Sequence, residues 1–279
     1  MDNSDPRLNH TPYSGGMGRT AAFFDLDKTI IARSSTLAFS RPLFAEGLLS
    51  RRAVLRSAYA QFVFAANGAD HEQMEAMRGY LTEMVRGWDV ETVRQVVAET
   101  LHEIIEPIVY AEAVDLIVEH HAAGRDVVIV SASGREVVEP IGAMLGVDRV
   151  IATDLVVEDG RYTGEILHYA YGDGKAELIE ELAEAEGYDL ADCYAYSDSE
   201  TDIPMLRVVG HPFAVNPDKV LRERAETEGW PILIFARPVA LRGRLSSPAG
   251  KAVAAFGVAA GVSLAGAAVA SLVRRRLTG

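Results

Sequence analysis

The chain of 279 residues contains a single cysteine, Cys193. One cysteine cannot form an internal disulfide bond, so the fold has to be stabilised by a packed core and not by covalent cross-links. Cys193 lies in an apolar segment that we interpret as a strand, which favours a buried, unreactive thiol over a nucleophile. The composition therefore points away from an oxidising compartment.

The first residues lack the apolar run that a secretory signal requires. Residues 1–19 are polar and rich in glycine, proline, serine and asparagine. Such a composition predicts a disordered lead-in and not a packed element. We therefore expect the body of the protein to remain in the cytoplasm.

Acidic residues are absent from the last 43 positions of the chain. Residues 1–236 hold 40 acidic side chains against 20 lysines and arginines, a net charge of −20, whereas residues 237–279 carry a net charge of +7. A strongly acidic body repels the phosphate backbone of nucleic acids. We therefore expect no nucleic-acid partner, and the basic end needs an explanation of its own.

That basic end contains an uncharged segment, residues 252–273, which follows a basic linker at 237–251. As a helix, its 22 residues would be about 33 Å long, close to the thickness of a bilayer's hydrocarbon core. Nine alanines and three glycines make insertion weak, although Gly257 and Gly261 have the spacing of a close-packing face. Two interpretations stay open: a transmembrane helix that tethers the protein to the inner face of the cell membrane, or a hydrophobic helix packed on the protein or a partner.

An acidic pair follows the first apolar segment of the chain. Residues 21–24 predict a short buried strand, and Asp25 and Asp27 come where it ends. Alternate residues of an extended chain lie on the same side, so the two carboxylates are expected to face one small volume. Their repulsion calls for a bound cation or a raised pKa.

Further polar residues follow other predicted strands or open a predicted helix. Ser131 follows the apolar residues 127–130, and Lys175 begins a helical pattern. Asp198 and Asp202 follow the strand predicted at 193–196. Alternating strands and helices predict a doubly wound, mostly parallel sheet, whose ligands bind at the carboxyl ends of its strands.

These four motifs, in this order, resemble those of the haloacid dehalogenase superfamily, and most closely its subfamily IB, the phosphoserine-phosphatase-like branch. The resemblance implies an α/β fold with a Rossmann-like sheet, an inserted all-helical cap and hydrolysis of a small phosphomonoester substrate. The expected division of the chain is a catalytic core at 20–32 and 106–236 with a helical cap at 33–105.

The resemblance also implies roles for the motif residues. Asp25 is the expected nucleophile, which forms an aspartyl-phosphate, and Asp27 is the expected general acid and base. The residues expected to contact the phosphate or fix its loop are Ser131, Lys175 and Thr29. The residues expected to hold a Mg²⁺ cofactor, directly or through water, are Asp25, Asp27, Asp198 and Asp202.

Two positions depart from the pattern of phosphoserine phosphatases. Lys28 replaces a small residue beside the nucleophile, and Ser34 stands where those enzymes carry a glutamate that binds the substrate's amino group. A neutral serine cannot pair with an ammonium, so phosphoserine specificity is not expected. A group of arginines in the predicted cap could instead meet an anionic substrate or form a solvated face: Arg33, Arg41, Arg51, Arg52 and Arg56.

Alternative functions follow from the same features. The uncharged segment 252–273 would suit a phosphatase of a membrane lipid phosphate, such as a lysophospholipid phosphate. A receiver domain phosphorylated on an aspartate is disfavoured by Asp27, since an acid–base group two residues after the nucleophile serves hydrolysis. A non-catalytic membrane scaffold is disfavoured because every reactive position is filled.

Local patterns predict several further elements. Residues 111–121 predict a helix, and Asp89 is expected to begin another. Residues 150–155 and 161–166 predict a hairpin with an Asp-Gly turn. His120 and His121 are adjacent and cannot chelate one ion together on a helix, so both are expected at the surface.

Overall fold

The structure is a computed structural model that describes residues 18–49, 79, 82–236 and 238. The predictions for residues 1–17, for the linker at 237–251 and for the hydrophobic helix at 252–273 lie outside the described residues. Among the helices of the described part, none has both the length and the apolar character needed to cross a membrane.

Seven strands form one sheet in the described part of the chain. Their spatial order is β4-β3-β2-β1-β5-β6-β7, and every neighbouring pair is parallel except the antiparallel pair β3–β4. The strands are β1 Ala21–Asp25, β2 Asp126–Gly134, β3 Arg149–Glu158, β4 Arg161–His168, β5 Tyr194–Ser197, β6 His211–Val215 and β7 Ile232–Leu233.

Helices connect the strands, and we number those of the described ranges in chain order. They are α1 Ser35–Ala38, α2 Ser40–Ala45, α3 Val90–Ile105, α4 Ala111–Ala122, α5 Arg135–Leu145, α6 Asp173–Glu186, α7 Ile203–Arg207 and α8 Lys219–Glu228. Short 3₁₀ turns lie at Glu106–Ile108, Leu190–Asp192 and Glu200–Asp202.

Both faces of the sheet are covered, as expected for a parallel sheet. Ala22 and Phe24 of β1 point into a core with α3, α4 and α5, whereas Ala21 and Phe23 point into a second core with α6, α7 and α8. The apolar residues of β1 run without interruption because each face of the strand is buried. The predicted doubly wound α/β fold is confirmed.

The hairpin and the helix starts follow the local sequence. Asp159 and Gly160 join β3 to β4 with φ angles of 48° and 76°, the left-handed conformations that a tight Asp-Gly turn uses. Asp89 caps α3 by accepting a hydrogen bond from the Thr92 backbone N–H at 2.8 Å. Both predictions are confirmed.

Two local predictions need correction. Ser131 lies within β2 and does not follow a strand: the segment from Ser131 to Gly134 is extended and belongs to β2, with a shift of register against β3. His120 is buried and not at the surface, because it shares a stripe of α4 with Ala113 and Ile117. A ring nitrogen of His120 lies 2.9 Å from the Tyr196 hydroxyl oxygen.

The predicted cap at 33–105 is described only in part. Its described residues include the short helices α1 and α2 and the longer α3. Helix α3 packs against α5, which covers the sheet, and its buried face joins the same apolar core. The division into core and cap remains a prediction.

Candidate active site

The strand register places the predicted site residues side by side. Asp25 ends β1 opposite Val130 of β2, and Phe24 is opposite Tyr196 of β5. Ser131 and Ser197, one position further along their strands, therefore flank the end of β1, and Asp198 follows Ser197. The topology brings the motifs of Asp25, Ser131 and Asp198 to one edge of the sheet.

A buried lysine lies between two carboxylates at this edge. The Lys175 Nζ donates to Asp25 Oδ1 at 2.7 Å and to Asp202 Oδ2 at 2.8 Å, and the Ser197 hydroxyl donates to Asp202 Oδ2 at 2.6 Å. Burial alone would lower the pKa of Lys175, but the Asp202 and Asp25 carboxylates outweigh it and raise that pKa above its usual range. The lysine is therefore a fixed positive charge.

Lys175 reaches this position from the first turn of α6. A Cβ atom on the preceding residue, Gly174, would collide with the backbone oxygen of Tyr169. Only glycine permits this close approach of loop and helix. Gly174 therefore has a packing role that is separate from the chemistry of Lys175.

Asp27 is held by the backbone of the segment that leads into α1. Its Oδ1 accepts a hydrogen bond from the Ser35 backbone N–H at 2.8 Å. Burial raises the pKa of Asp27, while the hydrogen bonds from Ser35 oppose that rise. A carboxyl group with a raised pKa is suited to carrying a proton at near-neutral pH.

The same segment is joined to β2. The hydroxyl oxygens of Ser35 and Ser133 lie 2.8 Å apart, and the Ser133 backbone N–H donates to Ser131 Oγ at 3.2 Å. A short chain of hydrogen bonds therefore connects Asp27 to Ser131. Sequence reasoning missed Ser35 and Ser133, although the alternation of serines at 131 and 133 is a visible signal.

Burial also shifts the pKa values of the other carboxylates. It raises the pKa of Asp25 well above its usual range, against the opposing attraction of Lys175. It raises the pKa of Asp198 to about 7, against the attraction of Lys28. The Lys28 ammonium is 3.8 Å from Asp198 Oδ2, and Lys28 has a φ of 61°, which is unusual for a residue other than glycine.

The two predicted hydroxyl residues are both buried but differ in their contacts. Ser131 Oγ accepts the hydrogen bond from Ser133, whereas Thr29 Oγ1 has no hydrogen-bond partner among the residues that the structure describes. The described residues therefore provide no side-chain hydrogen bond by which Thr29 would fix its turn.

The carboxylates of the site are suitable ligands for a hard cation, although in the described residues they are not arranged as a complete metal site. The buried ammonium of Lys175 contacts two of the four predicted ligands, the carboxylates of Asp25 and Asp202, and oxygen ligands are those that Mg²⁺ prefers. Within the described ranges, no three His, Cys, Asp or Glu side chains are arranged as a ready metal cluster. Asp202 is engaged by Lys175 and Ser197, so its contacts favour a positioning role over direct ligation.

Comparisons with known proteins point to one family. A family model for haloacid dehalogenase-like hydrolases matches residues 22–207. A probable phosphatase of Mycobacterium tuberculosis is 60% identical over 259 residues, which cover 92% of this chain and 90% of that protein. A phosphoserine phosphatase of the same organism is 35% identical over 263 residues, which cover 92% and 80% of the two chains.

A solved structure supports the fold. The phospho-aspartyl intermediate analogue of a phosphoserine phosphatase superimposes with a TM-score of 0.58 at 23% identity, covering 81% of this chain and 97% of the other. At this level of identity the likeness concerns the fold.

Proposed function

Because the chain belongs to the haloacid dehalogenase-like hydrolase family and is a phosphatase of that family, we propose that it hydrolyses phosphomonoesters through an aspartyl-phosphate formed on Asp25. The observation that carries this proposal is the 2.7 Å contact between Lys175 Nζ and Asp25 Oδ1 at the carboxyl end of β1. The contact holds Asp25 in place, opposes the rise of its pKa and leaves its second oxygen for attack on phosphorus.

The first step transfers the phosphoryl group to the protein. The free oxygen of Asp25 attacks phosphorus, the bond from phosphorus to the ester oxygen breaks, and Asp27 donates its proton to the departing oxygen. The raised pKa of Asp27 supports this donation. Ser131 and Lys175 stabilise the negative charge on the phosphoryl oxygens.

The second step returns the protein to its starting state. Asp27, now a carboxylate, takes a proton from a water molecule, and that water attacks phosphorus while the bond to Asp25 breaks. The products are inorganic phosphate and free Asp25. The hydrogen bond from Ser35 N–H keeps Asp27 at the same place in both steps.

Mg²⁺ is the cation that we assign to the site. The ligands would be the carboxylates of Asp25 and Asp198 and the backbone carbonyl of Asp27, with Asp202 supporting the bound water. When bound, the ion supplies positive charge that offsets the charge of the carboxylates and of the phosphoryl group. Burial raises the pKa values of Asp25 and Asp198, and a bound cation would offset this cost of burying their negative charge.

Phosphoserine is not the substrate that these residues favour. Ser34 is neutral at the position where an acidic side chain would bind the substrate's ammonium group. A site built to hydrogen-bond a substrate group rejects analogues without it by several powers of ten. We therefore expect kcat/KM for phosphoserine to stay within about a thousandfold of that for amino-free phosphomonoesters.

One assay tests the proposed activity. Phosphate release from a panel of phosphomonoesters is measured with Mg²⁺, with a chelator, and with the variant Asp25→Asn; the variant Asp192→Asn, at an exposed carboxylate, is the control. We expect release that needs Mg²⁺ and Asp25 and is unchanged in the control. Near-native activity of Asp25→Asn would contradict the proposed mechanism.

The uncharged segment at 252–273 carries a separate proposal, that it tethers the protein to the inner face of the cell membrane. Its support is the run of 22 uncharged residues between Lys251 and Arg274. Cells expressing the full chain or a chain ending at Ser247 are fractionated, and the membranes are washed with carbonate. The full chain should stay with the membranes and the shorter one should not; two soluble proteins would overturn the proposal.

A further inference from the structure

A large cleft adjoins the site between the β1–α2 region and helix α3. Its volume is about 850 Å³. Lys28 lines the cleft and also faces Asp198, and Ser34, on its wall, directly precedes the residue whose backbone binds Asp27. Lys28 and Ser34 therefore connect the cleft to the predicted catalytic carboxylates.

The charge of the cleft is positive. Lys28, Arg33 and Arg41 line it, and Glu103 is the acidic residue on the described part of its wall. Arg33 and Arg41 are exposed, and in the described part of the chain no carboxylate lies within salt-bridge distance of either guanidinium. Two exposed guanidinium groups in a cleft of an otherwise acidic protein are suited to binding an anion.

Part of the wall is apolar. Leu37 is 41% exposed, and Ile104 and Ile108, which are partly buried, also line the cleft. A solvent-exposed leucine in the same cleft as two exposed arginines favours a ligand with both an apolar part and a negative charge. Among the described residues of the wall, an ammonium group would have one acidic partner, Glu103, and three cationic neighbours, Lys28, Arg33 and Arg41.

We propose that this cleft binds the leaving group and selects phosphomonoesters whose leaving group carries a second anionic group next to an apolar segment. The proposal rests on the proposed function of the adjacent site. Arg33 and Arg41 bind the second anion, and Leu37, Ile104 and Ile108 contact the apolar segment. The cleft thereby gives a physical role to two of the arginines in the predicted cap.

Matched ligands test the selection. Hydrolysis of 4-carboxyphenyl phosphate is compared with that of 4-carbamoylphenyl phosphate, which has nearly the same shape without the charge. Binding of the corresponding non-hydrolysable benzylphosphonates is measured by calorimetry on the full chain. We expect kcat/KM and affinity to favour the carboxylated compounds about fivefold, because exposed ion pairs contribute modestly, and the preference to shrink as salt is added.

Two variants assign the preference to the cleft. The double variant Arg33→Gln with Arg41→Gln should bring the carboxylate-to-amide ratio close to one. The control Arg222→Gln, at an exposed arginine on α8, should keep the wild-type ratio. Each comparison uses the carboxylate-to-amide ratio measured on one variant, so a general loss of activity would leave that ratio unchanged.

The outcomes separate this inference from the proposed activity. Equal binding and equal hydrolysis of the paired compounds would overturn the selection and leave the phosphatase activity standing. A retained preference in the double variant would also overturn it. Preferential binding of the carboxylated phosphonate without hydrolysis of any phosphate ester would support the cleft and contradict the proposed activity.

Discussion

At the scale of single residues, the site depends on a lysine that is 3% exposed and that bonds two buried carboxylates. A buried ion pair is costly to break, since the partner left behind keeps the cost of lost hydration. Lys175 therefore contributes to stability and to catalysis at once. The contribution of Lys175 to stability can be measured separately from its contribution to catalysis, because unfolding is measured in the absence of substrate.

Replacing this lysine should destabilise the protein in a pH-dependent way. Lys175→Met leaves Asp25 and Asp202 buried without their cation, which should cost about 3–5 kcal/mol of unfolding free energy at pH 8. Folded Asp25, with its pKa raised further, would then take up a proton at lower pH, so the loss should be smaller at pH 5. Urea unfolding at both pH values measures this, with the exposed Lys219→Met as control. An equal loss at both pH values would contradict the assignment.

The chain of hydrogen bonds through Ser133 gives a second prediction. Ser133→Ala removes the contact with the Ser35 hydroxyl and loosens the segment that donates to Asp27. We expect kcat to fall about fivefold, the equivalent of one net hydrogen bond, and the pKa of Asp27 to rise, because the Ser35 N–H opposes that rise.

The pH profile of kcat distinguishes this positioning role from a general disturbance. The limb that reports Asp27 should move to higher pH in Ser133→Ala and stay in place in Thr227→Ala, a control on the surface of α8. A lower kcat with an unmoved profile would exclude the proposed link between Ser133 and Asp27.

The site residues that could be predicted from the sequence are those that belong to local motifs. Asp25, Asp27, Ser131 and Lys175 follow or precede recognisable elements, and the structure places them at one edge of the sheet. The pair Ser35–Ser133 was not predictable from local pattern, since the two residues are 98 positions apart and their contact depends on how α1 approaches β2.

At the scale of elements, helix α4 shows how a polar residue can belong to a core face. Helical spacing puts His120 on the apolar stripe of α4, where it contacts the Phe24 ring edge-on and the Tyr196 hydroxyl. Burial lowers the pKa of His120 to about 3. The prediction that His120 and His121 both lie at the surface rested on their adjacency and did not consider this apolar stripe.

This histidine should make the protein sensitive to acid. In the unfolded chain its pKa is near 6.5, so the unfolded state binds a proton that the folded state resists, and stability should fall as the pH drops from about 6.5 towards 3. His120→Gln should flatten the dependence of unfolding free energy on pH over that window. The neighbouring His121→Gln is the control, and an unchanged slope in His120→Gln would refute the account.

The predicted boundary was least accurate at the end of β2, where the strand continues beyond its apolar residues. Strand β2 continues from Ser131 to Gly134 because the Ser131 backbone still pairs with Ala152 of β3, a long-range pairing that the local sequence does not reveal. The hairpin β3–β4 was predicted because its turn chemistry is local.

At the scale of the whole molecule, the sheet order explains why distant motifs meet. The chain starts in the middle of the sheet at β1, adds β2, β3 and β4 on one side and then β5, β6 and β7 on the other. The order reverses between β2 and β5, beside β1, and ligands of such sheets bind at this reversal. Alternation of strands and helices predicts the fold class, while the strand order itself follows from packing that no local pattern encodes.

The central claim is that Asp25 carries the phosphoryl group, and acid quenching tests it most directly. Protein mixed with a ³²P-labelled phosphomonoester and Mg²⁺ is denatured in acid within one turnover, and the bound label is followed with and without hydroxylamine. We predict a label that hydroxylamine releases, as from an acyl phosphate, that maps to Asp25, is absent in Asp25→Asn and persists in Asp192→Asn. Phosphate release without any protein-bound label, or a label retained in Asp25→Asn, would contradict the account.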